Sequence, residues 1–331
     1  MVMKDIYFQE NYGKLYEKIE QGFCQVFEFK ISIGTICHMF IKRQIPLLID
    51  NKIYFDLVTP YGYGGPVITE CKEGCREELV QEFNVEFQKY CRGNNIVSEF
   101  VRFHPIVKNA QDFVSCYDVN YMRNTLGTNL TYEDPYKSEF SKGCRRKVRK
   151  VIEKGVTYEI SKNPEDIDIF KKIYYSTMDR KNADKYYYFG DDYFKQCFKM
   201  FGENIIFVKA IYKEQPIAIS LNFICNNTIH VHLSGTLSEF LYLSPSYLLK
   251  YAVAIWGKEN GYKLIHYGGG KSNAKDDSLY LYKKQFCKNT EFEFYTGKKI
   301  WNTEVYNELC KSTGSLKDSE FFPAYRNNIK N

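Results

Sequence analysis

The segment HYGGGKS, residues 266–272, places Gly268, Gly269 and Gly270 directly after an apolar run and before Lys271. Three glycines there allow close backbone approach to a ligand and present N–H groups to a carbonyl or phosphate oxygen. A strand ending in a tight turn uses the same residues, and that plain reading stands beside the binding one. The segment is not a Walker A loop, because the first glycine of that pattern would have to occupy the position of Ile265. Between Lys142 and Lys154, seven basic residues face the single acid Glu153. Within that run Arg145 and Arg149 share a helix face at i,i+4, a spacing that suits a phosphate, although a solvated helix face needs no partner. PYGYGGP, residues 60–66, offers the hydroxyls of Tyr61 and Tyr63 in a turn-rich loop, and TMDRKNA, residues 177–183, brings Asp179 and Arg180 near three consecutive tyrosines. His230 and His232 alternate along a strand, the geometry of a two-histidine metal pair. No third ligand stands at supporting spacing and CKEGC, residues 71–75, lies far off in the chain, so no metal is expected.

The elements that must hold these residues are mixed. A helix is expected near residues 12–21, followed by strands over VFEFKIS, GTICHMFIKRQIPLLID and KIYFDLV. Leu79, Phe83, Phe87 and Tyr90 recur at three and four residues and predict an amphipathic helix ending at Gly93. VSEFVRFHPIV reads as a strand, and the polar stretch 124–142 reads as the neighbourhood of a domain boundary. The basic run 142–155 and residues 166–176 read as helices. ENIIFVKAIY, QPIAISLNFIC and TIHVHLSGT, separated by Lys-Glu and Asn-Asn, predict a three-stranded antiparallel meander. Beyond it come a helix over 244–261, a strand over 263–270, a helix over 276–286, a strand over 290–297 and a last helix over 300–312.

The 331 residues are 44% hydrophobic, 26% charged and 17% aromatic, which excludes a disordered chain and suffices for about two domains of ordinary size. Forty-six basic against 40 acidic residues leave +6, too mixed a balance to mark a nucleic-acid binder by itself. Eleven cysteines at irregular spacing and a polar opening segment point to a reducing, cytoplasmic setting. No run approaches the ~20 apolar residues of a membrane-spanning helix, so no transmembrane segment is expected. No G-x-S-x-G elbow occurs and nothing marks one cysteine as an activated thiolate, so a covalent enzyme intermediate is not expected.

The order of PYGYGGP, RFHP (102–105), RRKVRKVIEKGV (145–156), TMDRKNA, HVHLSGT (230–236) and HYGGGKSNAKDDSLYLYKKQF (266–286) resembles the FemAB-like branch of the GNAT acyltransferase superfamily. That branch includes peptidoglycan-precursor aminoacyltransferases and BioF2-like acetyltransferase domains. The resemblance implies an α/β (α+β) chain of two GNAT-like domains, each a mixed, largely antiparallel sheet flanked by helices, with a cleft between them. The domains are expected at 1–125 and 126–331, the second carrying the catalytic motifs. It also implies transfer of an acyl or aminoacyl group to an amine. In the resembled enzymes a Phe-Lys pair sits beside the reacting carbonyl, the lysine stabilising the tetrahedral intermediate; here the pair is Tyr282 and Lys283, with tyrosine in place of phenylalanine. By itself Lys283 reads as a surface lysine. An arginine of the basic helix contacts phosphates of a nucleotide-linked acceptor in that family, and Arg145 or Arg149 matches by position. The acidic residue that follows the Gly-Pro pair in peptidoglycan-precursor enzymes is replaced by Thr69. His232 becomes the candidate to take a proton from the attacking amine, and Arg180 a contact for an anion.

The acetyl-CoA loop [QR]-x-x-G-x-[GA] has no instance in the chain. No tightly bound cofactor is expected, and the acyl donor is either acyl-CoA held by a divergent loop or aminoacyl-tRNA. The acceptor amine is expected on a cell-envelope or sugar-linked molecule, nucleotide- or lipid-linked. Two other readings compete: a strictly tRNA-dependent peptidoglycan-bridge aminoacyltransferase, and a non-catalytic protein that binds tRNA or another polyanion through the basic helix.

Overall fold

In the computed structural model, which describes residues 5–162, 164, 167–316 and 321–329, the chain divides into two compact units. The first comprises Met1–Met122 and Glu293–Asn331, the second Arg123–Phe292.

In the first unit, helix α1 (Glu10–Glu20) precedes strands β1 (Gly22–Ile31), β2 (Gly34–Ile49), β3 (Lys52–Val58) and β4 (Val67–Cys71). Helix α2 (Arg76–Gly93) and strand β5 (Ile96–Arg102) follow. The sheet runs β1, β2, β3, β5, with β4 also on β2; β3 and β5 pair in parallel, the rest antiparallel. The expected periodicity of α2 holds: Leu79, Phe83 and Phe87 are buried in one cluster with Phe40, Leu57 and Val101. Inside that cluster Glu99 accepts hydrogen bonds from Tyr117 Oη at 3.1 Å and Trp301 Nε1 at 3.2 Å, and its other oxygen lies 2.5 Å from His38 Nε2.

The C-terminal segment belongs here as well. Strand β12 (Glu291–Ile300) pairs antiparallel with β5, Thr296 opposite Arg102, and helix α9 (Thr303–Thr313) buries Val305, Tyr306 and Leu309 with Ile45, Tyr54 and Val97. Assigning 126–331 to one domain therefore misplaces residues 293–331. Their strand finds its hydrogen bonds on β5, and a pairing so distant in sequence leaves no local signal.

In the second unit, strand β6 (Asp118–Asn129), which begins just ahead of Arg123, is followed by α3 (Pro135–Glu139), α4 (Lys142–Glu153), β7 (Thr157–Lys162), α5 (Ile167–Arg180) and α6 (Asp191–Phe201). Then come β8 (Ile205–Tyr212), β9 (Gln215–Cys225), β10 (Thr228–Thr236), α7 (Pro245–Glu259), β11 (Leu264–Gly268) and α8 (Ser278–Lys284). The sheet order is β6, β11, β10, β9, β8, β7. The expected meander β8–β9–β10 is present, and its first turn puts both Lys213 and Glu214 at positive φ, as a two-residue hairpin requires. Alternation along β8 sends Ile206, Val208 and Ala210 to the cluster under α7, while Phe207 stacks on Phe170 of α5 at 5.1 Å. Strands β10 and β11 run parallel over only three residue pairs, Thr228–His230 against Leu264–His266. This unit is thus an α/β layer with helices on both faces of a mixed sheet.

Candidate functional site

The glycines after β11 are demanded by close packing. A Cβ on Gly269 would lie 2.9 Å from Arg123 Cδ, and one on Gly270 would lie 2.5 Å from Asp277 Oδ1. Asp277 is the N-cap of α8, accepting from Tyr280 N at 2.8 Å, and its second oxygen accepts from Lys271 N at 2.8 Å, Ser272 N at 2.8 Å and Ser272 Oγ at 3.1 Å. These bonds, the one from Tyr280 foremost, hold its carboxyl down to about 2. The N–H groups of Lys271 and Ser272 therefore face Asp277 rather than a ligand. What the loop presents instead is carbonyls to cations: Lys283 Nζ donates to Gly269 O at 2.7 Å, and Arg123 Nη1 to Gly270 O at 2.7 Å.

Lys283 is half-buried near the C-terminal end of α8. Burial pulls its ammonium down to about 8, with the charges of Lys181 and Arg123 acting in the same direction. Lys181 is itself lowered, by burial first and then by Lys271 and Arg180. Five cations, Lys283, Lys181, Lys271, Arg123 and Arg180, thus act on one another around this loop, while Asp277 is saturated with donors. Such a place favours negative charge, whether formal or developing on a carbonyl oxygen. Tyr282 turns the other way, its ring 5.5 Å from Tyr247 and 5.2 Å from Phe286. It fills the position as an apolar ring would, and its hydroxyl, beside Ser246, lacks a hydrogen-bond partner among the described residues.

The two arginines of α4 are not equivalent. Arg145 Nη1 donates to Phe140 O at 2.5 Å and Lys137 O at 3.0 Å, tying down the turn between α3 and α4. Arg149 is exposed and makes no ion pair among the described residues. A two-arginine clamp is therefore not assembled, and Arg149 alone keeps its guanidinium open to an anion. Asp179 accepts from Tyr188 Oη at 2.9 Å. Arg180 donates to Thr236 O and Ser238 Oγ, both at 3.0 Å, and so clasps the end of β10, contributing charge to the loop region without being free to grip a ligand.

His232 does not suit the role of base. A bulge in β10 falls at this residue, since Val231 pairs with Asn222 and Leu233 with Leu221, so the simple alternation with His230 is broken. Its Nε2 is hydrogen-bonded to Tyr193 Oη at 2.8 Å, its ring packs on Phe223, and burial, with His230 adding, pulls it down to about 3. An imidazole so weakly basic is a poor proton acceptor near neutrality.

Tyr61 and Tyr63 lie in the first unit. Tyr61 O accepts from Tyr12 Oη at 2.8 Å, and Tyr63 packs edge-on to Tyr7 at 5.3 Å and Phe294 at 5.3 Å, with His104 at 5.6 Å. Asn109 Nδ2 donates to both Gly64 O and Pro66 O at 2.8 Å, fixing the loop. Thr69 Oγ1 is spent on Thr35 O at 3.1 Å. The remaining candidates belong to the second unit.

Sequence reasoning missed Arg123, Lys181 and Lys250. Lys250 had a signal: it is the one charged residue in the apolar run YLLKYAVAIW on α7. It is 6% exposed.

Comparison with known proteins finds the following similarities for the chain as a whole. Residues 138–278 match the acetyltransferase (GNAT) domain family, and a Fem-type fold accounts for most of the chain: the crystal structure of FemX superposes with a TM-score of 0.70 at 11% identity, covering 92% of this chain and 94% of that one. The C-terminal domain of a protein assigned as a lysylphosphatidylglycerol synthetase from Agrobacterium fabrum gives a TM-score of 0.58 at 12% identity, covering 91% and 90%. In sequence, the chain is 24% identical over 172 residues to the UDP-N-acetylmuramoylpentapeptide-lysine N(6)-alanyltransferase of Weissella viridescens. That match takes in 50% of this chain and spans about half the length, 49%, of the relative. The expected two-domain GNAT-like architecture and the similarity to Fem-type proteins are thus both present. No helix among the described residues is long and apolar enough to cross a membrane.

Proposed function

We propose that this protein is a Fem-type acyltransferase that joins an acyl or aminoacyl group to the amine of a cell-envelope precursor. The observation that carries the reading is Lys283, a cation fixed on Gly269 O at 2.7 Å in a loop region where Lys181, Lys271, Arg123 and Arg180 outnumber the carboxylate of Asp277. The acceptor amine attacks the donor carbonyl directly, and Lys283 stabilises the oxygen as it becomes anionic, a contribution of about 3 kcal/mol for one well-placed donor. Tyr282 supports the Lys283 helix by packing rather than by touching substrate. The relative from Weissella viridescens is named for alanyl transfer to a lysine N(6) of a UDP-linked muramoyl pentapeptide. This favours a peptidoglycan precursor as acceptor and an aminoacyl-tRNA as donor, with Arg149 as the contact for the acceptor's phosphates. On this reading the reaction belongs to the cytoplasm, where aminoacyl-tRNA and UDP-linked precursors would meet.

The test is a paired titration with acetyl-CoA and with alanyl-tRNA at two salt concentrations, followed by single-turnover transfer to a UDP-linked muramoyl pentapeptide. Preference for charged over uncharged tRNA and transfer lost in Lys283→Ala support the reading. Saturable binding and turnover of the CoA thioester replace the donor. Strongly salt-dependent tRNA binding without turnover leaves a polyanion-binding protein instead.

A further inference from the structure

All eleven cysteines are free thiols. Eight are buried, and the half-buried Cys24 has its thiol pushed up to about 12, by burial first and then by Glu17 and Glu10. The two that remain, Cys71 and Cys75, are both half-buried and stand four residues apart in the first unit. The acyl transfer proposed above makes no use of them.

Their separation is fixed from both sides. Cys71 is the last residue of β4, its Cα opposite Gly34 of β2, and the N–H of Lys72 continues the ladder to Ile33 O at 2.8 Å. Cys75 precedes α2, and its carbonyl accepts from Leu79 N at 3.0 Å inside the first turn of that helix. Between them Lys72, Glu73 and Gly74 are exposed and reverse the chain, with Gly74 at φ 77°. The turn closes on one oxygen: Lys72 O accepts from Cys75 N at 3.2 Å and from Cys71 Sγ, also at 3.2 Å. The sulfur of Cys71 is therefore no farther from the backbone nitrogen of Cys75 than twice that length. Joining the two sulfurs asks for side-chain rotation across an exposed turn rather than for movement of a strand or a helix.

Two further features suit sulfur chemistry. The N-cap of α2 is Cys75, whose side chain makes no capping bond, where serine or aspartate would make one. Arg76, held on Asp112 by bonds of 2.6 and 2.7 Å, carries a guanidinium whose charge interacts with Cys71. A cation and a helix N-terminus both support negative charge on sulfur during exchange. A metal does not account for the pair, because among the described residues neither cysteine belongs to a group of three ligands close enough to hold an ion.

We propose that Cys71 and Cys75 form a reversible dithiol–disulfide site that reacts with low-molecular-weight disulfides of the glutathione class. The proposal is independent of the acyl-transfer reading. One cysteine thiolate attacks a sulfur of the small disulfide, forming a mixed disulfide and releasing one small thiolate. The thiolate of the other cysteine attacks the protein sulfur of that mixed disulfide, forming the Cys71–Cys75 bond and releasing the second small thiolate. The two protons lost by the cysteines end on the two small thiols, so the pair is oxidised by two electrons and the small disulfide reduced by two. The new bond pins the first turn of α2 to the end of β4. A ring this short at an exposed turn makes a labile disulfide rather than a structural one.

The full chain is equilibrated with mixtures of oxidised and reduced glutathione, quenched in acid, alkylated in denaturant and digested with trypsin. Cleavage after Lys72 and Arg76 puts the two cysteines on separate peptides, 53–72 and 73–76, so their bond appears as a linked product. The expected result is that product, in chains that run as monomers without reductant, rising with the share of oxidised glutathione and removed by excess reduced glutathione. The other cysteines stay alkylated. Cys71→Ser and Cys75→Ser should each lose the linked product and stop at one glutathione adduct on the remaining cysteine, whereas Cys24→Ser should leave it unchanged. Because serine can cap α2, Cys75→Ser should keep its thermal midpoint, which separates lost chemistry from lost folding. Adducts on both cysteines of the wild type without linkage overturn the proposal, as does a linked product that reduced glutathione does not remove. Oxidation of Cys24 or of the buried cysteines ahead of the pair overturns it as well. Bound zinc in the isolated protein that both variants lose would make the pair a metal site and overturn the redox assignment.

Discussion

Lys283 Nζ donates to the carbonyl of Gly269 over 2.7 Å, and so joins the last turn of helix α8 to the loop that follows β11, whose Lys271 and Ser272 are bonded to the N-cap Asp277. The lysine is held there against its own electrostatics, because its proton is bound less tightly in the folded chain than in the unfolded one. With a folded value of about 8 against ~10.4 unfolded, its protonated form costs stability at all pH below about 8, and the cost fades as pH rises towards ~10.4. Lys283→Met should therefore melt higher than wild type at pH 7, with the gap closing by pH 10, while acyl transfer falls by ~100-fold. Calorimetric melting at a series of pH values checks the first half. A variant that is less stable at pH 7 would mean that the carboxylate of Asp277 and the Gly269 carbonyl outweigh the cost of burying the ammonium.

The arginines of α4 should separate cleanly by readout. Arg145 holds two carbonyls of the preceding segment, so Arg145→Ala leaves Phe140 O and Lys137 O without that donor and should lower stability by about 1–2 kcal/mol. Arg149 holds none, so Arg149→Ala should leave the denaturation midpoint unchanged and weaken binding of the UDP-linked acceptor ~10-fold. Urea denaturation and equilibrium binding on both variants decide it; a binding loss confined to Arg145→Ala would reverse the assignment.

Much of this was legible in the sequence where the signal is local. The α2 stripe of Leu79, Phe83 and Phe87 and the hairpin turn at Lys213-Glu214 were both readable, because periodicity and turn position depend on neighbouring residues alone. The segment from Asn124 looked like polar linker, yet it is the second half of β6, made a strand by β11, with Asn129 opposite Leu264. Helix α6 carried a readable pattern in Tyr193, Phe194, Cys197 and Phe201, all buried, that was overlooked beside the tyrosine-rich turn before it. At the candidate site the glycines and Lys283 stood out. The groups that act on them, Arg123 on β6 and Lys181 just after α5, come from other elements, and no spacing rule links them.

Asp277 should set how the loop responds to acid. Its carboxyl is held at about 2 in the folded chain, below the ~3.9 of an unfolded aspartate, so its contribution is complete above ~4 and is lost as pH falls through about 2. Asp277→Ala should abolish that part of the acid dependence and increase hydrogen exchange at Lys271, Ser272 and Tyr280, whose N–H groups it accepts. Exchange at those three amides equal to wild type would show that the carboxylate does not order the loop.

Residues 321–329 are tied to the sheet of the first unit through one buried carboxylate, in addition to their apolar contacts with α9. Asp56 is fully buried, with Arg43 Nε at 2.8 Å on one oxygen and both Arg326 Nε at 2.5 Å and Tyr325 Oη at 3.1 Å on the other. Removing it leaves the largely buried guanidinium of Arg326 without its carboxylate and Arg43 with Glu20 alone, at 3.8 Å, a loss of about 3–5 kcal/mol when one side of a buried pair is deleted. In Asp56→Ala the cheaper outcome is release of residues 321–329, which carry Arg326 away from Arg43. Trypsin should then cut after Arg326 much faster than in wild type, before any cut within β2 or β5. If Arg326 stays protected while the whole first unit melts at lower temperature, the segment is held by the apolar contacts of Tyr325 and Ala324 with α9, and Asp56 serves the sheet alone.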